Sequence, residues 1–138
     1  MSKHNLCPIC EAGELHEHIE PIEVEYHGHT ATLDSRYSVC DACGSEQADA
    51  AQTRQNKRAT IAFRKTVDGL LTGAQIRTLR ESLGLTQAQA ARIFGGGPVA
   101  FSKYEHDDVT QSDAMDKLLR VANAVPEALA HLERAAHK

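Results

Sequence analysis

The stretch from Cys7 to Gly44, CPICEAGELHEHIEPIEVEYHGHTATLDSRYSVCDACG, begins and ends on a pair of cysteines spaced by two residues. That spacing lets one tight turn aim both sulfurs at a single point, and Gly44 suits the sharp bend behind the second pair. Two such turns supply the four-sulfur tetrahedral shell that Zn(II) prefers. Cys7, Cys10, Cys40 and Cys43 are therefore the candidate metal ligands. A shell closed by four thiolates leaves no position for water or substrate, so the expected zinc is structural and not catalytic. Disulfides, unligated thiols and rubredoxin-type iron are the alternatives. A reducing cytoplasm disfavours the disulfides. Rubredoxin-type iron usually sits in an aromatic shell, and this half offers only Tyr26 and Tyr37. His4, His16, His18, His27 and His29 show no ligand spacing and read as surface residues.

Between the pairs, Ile22 to Tyr26 and Thr30 to Leu33 alternate around His27-Gly28-His29, the pattern of a β-hairpin, and a further strand over Arg36–Val39 leads into Cys40. From Glu46 to about Lys65 a thin alanine stripe predicts one helix. Thr66 to Leu71, with Asp68-Gly69, reads as a hinge, so the expected division is residues 1–67 and 68–138.

The second half reads as five short helices. Ile76, Leu79 and Leu83 mark the first, with Gly84 as its left-handed cap. Thr86 and Gln89 form a capping box for the second, whose core face is read as Ala88, Ala91 and Phe94. Gly95-Gly96-Gly97-Pro98 separates it from a third helix ending near Glu105. Ser112 caps a fourth and Pro126 opens a fifth. The fold class expected is α+β: a small zinc-stapled, β-rich N-terminal domain with one helix, then an all-α domain of five helices.

Charge is segregated along the chain. Residues 1–50 hold ten acids against Lys3 and Arg36, a net −8, while residues 51–80 hold seven bases against Asp68, a net +6. No apolar run reaches the roughly 18 residues that span a bilayer, and Met1 to Leu6 lacks a signal-peptide core, so a soluble cytoplasmic protein is expected. There is no phosphate loop, nucleophile motif or paired acid and base, which argues against an enzyme.

Leu85-Thr86-Gln87 through Tyr104-Glu105 resembles the helix-turn-helix of the repressor-like family. In that arrangement Gln87 and the amides around it meet a phosphate, while Val99, Ala100, Ser102 and Lys103 face outward into the major groove of double-stranded DNA. The order of both cysteine pairs, a β-rich insert, a helix, Leu-Thr-Gln, Ile93-Phe94-Gly95-Gly96-Gly97 and Ala100-Phe101-Ser102-Lys103-Tyr104-Glu105 resembles the MqsA antitoxin family over nearly the whole chain. The resemblance implies an N-terminal zinc domain that neutralises a cognate toxin, an mRNA-cleaving and hence basic ribonuclease. It also implies a C-terminal domain that forms a homodimer and represses its own operon by binding a palindromic operator. The four cysteines match the family's zinc ligands, and Arg64 matches an arginine that contacts DNA near the domain junction. Val99 and Lys103 stand where the family has its base-reading Asn and Arg, so the operator sequence does not carry over. A zinc-containing helix-turn-helix regulator without a toxin is the competing reading.

Overall fold

A computed structural model describes residues 5–136. His4 lies outside them. Two strands, β1 (Leu15–Tyr26) and β2 (His29–Cys40), form an antiparallel hairpin, and a short β3 (Glu46–Gln47) adds to β2, in the order β1-β2-β3. Six helices follow: α1 (Ala50–Asp68), α2 (Gly73–Ser82), α3 (Gln87–Phe94), α4 (Ala100–Glu105), α5 (Asp113–Ala124) and α6 (Pro126–Ala136). The α+β class expected from the sequence is present. None of the described helices is long and apolar enough to cross a membrane.

The hairpin is longer than its sequence pattern implied. Its register is unbroken from Leu15↔Cys40 to Tyr26↔His29, so Arg36–Val39 continues β2 and is not a separate strand. Pro21, which normally argues against a strand, is accommodated by that register. The backbone N–H of Arg36 donates to Asn56 Oδ1 (2.8 Å) and Asn56 Nδ2 donates to the Arg36 carbonyl (3.0 Å), so Arg36 points its backbone away from β1. Backbone direction alternates along a strand. Thr30, Thr32 and Asp34 therefore also face away from β1. Opposite Asp34, Pro21 faces outward on the other edge, where no ladder bond needs its missing N–H. The bend into Glu46–Gln47 replaces the expected start of the helix, which begins at Ala50.

The chain divides into two compact units at Thr60 and Ile61, within α1. In the first, Gln52 anchors α1 to the sheet by donating to Ser38 Oγ (2.8 Å) and Glu17 Oε2 (3.0 Å). The second unit contains the hydrophobic core. Ile76, Leu79, Ala90, Ala91, Phe94, Phe101, Leu119 and Ala122 are its buried members, with Leu129 and Leu132 packed against it. Ala90, not the expected Ala88, completes the inner face of α3, and Ala88 is exposed. Two capping boxes start successive helices. Thr86 with Gln89 was legible from its spacing, and Thr72 with Gln75 does the same for α2.

The segment read as a hinge is tied down. Thr66–Asp68 still belongs to α1. Beyond it Arg120 Nη2 donates to the Gly69 carbonyl (2.8 Å), the Leu71 N–H donates to Asp116 Oδ1 (2.8 Å), Gln111 Nε2 donates to the Leu71 carbonyl (2.8 Å), and the Gly73 N–H donates to Asp107 Oδ1 (2.9 Å). Lys65, fully buried, pairs with Asp107 Oδ1 at 2.9 Å and donates to the Tyr104 carbonyl at 3.2 Å. Every one of these partners is distant in sequence, which is why composition alone reads the segment as loose.

Asp116 is the centre of that stitching and carries a pH prediction. Burial would raise its pKa, but the Leu71 N–H, Arg120 and Gln111 all donate to it and hold it below its ordinary value. A depressed carboxylate contributes its stability in full above the unfolded value near 3.8 and loses it as pH falls through the folded one. Asp116→Asn is expected to cost about 1.5–3 kcal/mol at neutral pH. The gap from wild type should close below about pH 4, as followed by urea unfolding across pH.

Candidate metal centre and nucleic-acid interface

The two knuckles converge. The Cys7, Cys10, Cys40 and Cys43 sulfurs lie within 4.8 Å of one another, with Cys7 and Cys43 at 3.8 Å and Cys10 and Cys40 at 3.6 Å. A tetrahedral ion with bonds of about 2.3 Å sets its sulfurs about 3.8 Å apart, so the cluster has the dimensions of a four-thiolate metal centre. Tight turns aim the sulfurs: the Glu11 N–H donates to the Cys7 carbonyl and the Gly44 N–H to the Cys40 carbonyl. Gly13 lies against the cluster, where an added Cβ would fall 2.6 Å from Cys40 Sγ and 2.6 Å from the Ala42 methyl.

N–H donors surround the sulfurs as a thiolate centre requires. The Ala42 and Cys43 amides reach Cys40 Sγ at 3.3 and 3.4 Å, the Gly13 amide reaches Cys10 Sγ at 3.4 Å, and Gln47 Nε2 reaches Cys7 Sγ at 3.2 Å. The consequence is an uneven set of thiols. The Cys10 amide, with those of Ile9 and Gln47, pulls Cys7 down to about 5, and Ser45 lowers Cys43. Cys40 goes the other way. The Cys43 amide favours its thiolate, but burial and the hydrogen bonds it shares with Cys10 and Cys43 push it up to about 11. Four sulfurs this close cannot all ionise without a cation among them. The donor set thus fits a soft divalent metal. Ser45 and Gln47, which join Cys7 and Cys43 at the rim, had no sequence signal because β3 was unrecognised.

Glu14, His16 and Asp41 also come together beside the knuckles, all exposed. His16 Nε2 lies 3.1 Å from Asp41 Oδ2, and Asp41 Oδ1 accepts from the Glu14 N–H at 3.0 Å. Asp41 is already used as a turn acceptor there.

In the second unit a buried fork organises α2, α3 and α4. Arg80 donates through Nε and Nη2 to Glu105 (2.6 and 2.9 Å) and through Nη1 to the Leu85 carbonyl (2.8 Å). The hydrogen bonds that Arg80 donates to Glu105 raise its pKa above the ordinary value. Gln87 Nε2 donates to the same carboxylate at 3.1 Å, so this candidate phosphate ligand is held in place by Glu105. Gly95, Gly96 and Gly97 all have positive φ, 93°, 100° and 94°. At Gly96 a Cβ would stand 3.0 Å from the Ala100 methyl and 3.2 Å from Tyr104 Oη, so the glycine brings the turn down onto α4.

The candidate DNA residues separate into two groups. Val99 is 56% exposed, Lys103 is exposed and Ser102 is half-buried. Ala100, expected to face outward, is only 7% exposed because it packs beneath Gly96. Arg64 is exposed on α1, next to the buried Lys65.

Comparison with known proteins agrees with this arrangement. Residues 5–133 match the family described as the antitoxin component of bacterial toxin-antitoxin systems, MqsA. The antitoxin MqsA of Escherichia coli (strain K12) is 32% identical over 125 residues, covering 89% of this chain and 95% of that protein. The family match spans the sulfur cluster, α1 to α5 and most of α6, and the chain belongs to the MqsA antitoxin family.

Proposed function

We propose that this chain is a non-catalytic antitoxin: residues 1–67, stapled by structural Zn(II) on Cys7, Cys10, Cys40 and Cys43, bind and neutralise a cognate toxin. Residues 68–138 dimerise and bind a palindromic operator in the chain's own promoter. The observation that carries the DNA reading is the strip of exposed Val99 and Lys103 with half-buried Ser102 at α4, beside the capped start of α3. In this reading Val99 touches a thymine methyl, Lys103 reaches guanine, and Ser102 reaches a base edge or phosphate. Ala100, being buried, supports the turn and is not a base contact. Gln87, fixed by Glu105, and Arg64, on the helix end anchored through Lys65, meet phosphates. The toxin reading draws on the family and on charge, since a net −8 over residues 1–50 attracts the basic surface that a ribonuclease needs to hold RNA.

Binding to promoter DNA separates these roles. Lys103→Ala is expected to lose about 1–3 kcal/mol of discrimination between operator and scrambled sequence. Arg64→Ala should weaken both equally and reduce the salt slope by about 1. Fluorescence anisotropy at several salt concentrations measures both quantities. Unchanged preference in Lys103→Ala would remove α4 from the reading position.

A further inference from the structure

The two outer edges of the sheet are protected unequally. On β1 the outward backbone positions include Glu17, Pro21, Glu23 and Glu25, so the edge carries charge and lacks a donor at its centre. Both features are common guards against strand addition. On β2 the protection stops halfway. β3 pairs with Ser38 and Val39, and the Asn56 amide occupies Arg36 in place of a neighbouring strand. Past that plug, Asp34, Thr32 and Thr30 turn their N–H and carbonyl groups to the same side, and among the described residues nothing pairs with them there. They do not open onto flat solvent. A groove of about 460 Å³ lies along this edge, lined by Thr32, Asp34 and Arg36 from β2 and by Gln55, Arg58 and Ala59 from α1.

A row of alternating donors and acceptors beside a helix is matched by one kind of occupant, an extended backbone that adds a strand. Charge narrows it further. The first fifty residues are acidic overall, yet this groove has a mixed lining: Arg36, which lies 3.9 Å from Glu17, and Arg58 stand beside Asp34. We propose that the toxin docks here, adding one of its own strands to β2 at Thr30–Asp34, with polar side chains of that strand meeting the mixed charges of Asp34, Arg36 and Arg58. This rests on the reading of the N-terminal unit as the toxin-binding part and selects, within it, one edge and one groove. The general acidity of the unit steers the encounter, and the strand pairing holds the complex.

The test uses the full chain, titrated calorimetrically with the product of the adjacent gene. Thr32→Pro removes an outward N–H without touching the β1–β2 ladder, as Pro21 does on the other side. Glu23→Pro makes the same change on the β1 edge, and Ala59→Trp fills the groove from the helix. Thr32→Pro and Ala59→Trp are expected to weaken binding on the order of 100-fold, with Glu23→Pro within about threefold of wild type. Metal content and thermal unfolding report whether each variant is folded. If Thr32→Pro is not, Ala59→Trp alone decides. Wild-type affinity in Ala59→Trp, or a loss confined to Glu23→Pro, would overturn the proposal. A wild-type dimer that Thr32→Pro dissolves would do so too, because the occupant would then be a second copy. Absence of any wild-type binding is a different result: the toxin-binding reading itself then fails, and the proposal with it.

Discussion

Stripping the metal with a strong chelator is expected to unfold residues 5–60 while α2 to α6 stay folded. The reason is the composition of the first unit's interior. Among its described residues the buried side chains are Cys7, Cys40, Ser38 and Gln52, without one buried aliphatic or aromatic residue. Ordering a residue costs about 1–2 kcal/mol of backbone entropy, and a hairpin of this length has no apolar core to offset it. Metal binding by four cysteines contributes on the order of 10 kcal/mol in comparable small modules. Loss of strand signal in circular dichroism with retention of most helical signal is the expected outcome. Cys40→Ser should reproduce it without chelator, since Cys40 is buried and hydrogen-bonded to Cys10. A hairpin that survives metal removal would show that the unit is held by something other than its sulfur centre.

Arg80→Met is expected to be the most damaging single change in the second unit. The Glu105 side chain is 3% exposed and its charge is balanced by the Arg80 fork. Among the described residues Gln87 is then the side chain left donating to it, and a neutral amide does not compensate a buried carboxylate. Removing one partner of a buried pair costs about 3–5 kcal/mol. Thermal unfolding of the second unit should drop accordingly, by roughly 4–8 °C for each kcal/mol in a unit of this size. Replacing both members, Arg80→Met with Glu105→Leu, should recover much of the loss. DNA binding should not recover in parallel, because the double variant leaves Gln87 without the carboxylate that orients it.

Legibility tracked the range of the interaction. Cysteine spacing, the Thr86 box, the Ser112 cap and the helix opened by Pro126 are set by neighbours in sequence, and each is found where the sequence puts it. The Thr72 box carries the same T-x-x-Q spacing, but its first turn, Gly73-Ala74, looks like a linker in the sequence. Strand length was underestimated because Pro21 and Asp34-Ser35 look like interruptions until the register shows which way each backbone group faces. Three-residue periodicity placed Ala100 outward, and only the approach of Gly96 reveals its burial. The tied-down segment after α1 was invisible for a stronger reason: Asp107, Gln111, Asp116 and Arg120 hold it from 34 to 51 residues away.

The most direct measurement of the central claim is growth of cells that express the adjacent gene from an inducible promoter, alone, with this chain, and with this chain carrying Lys103→Ala. Neutralisation assigned to the N-terminal unit and DNA reading assigned to α4 predict arrest in the first case and equal rescue in the other two. No rescue by the wild-type chain, or rescue that disappears in Lys103→Ala, would contradict it.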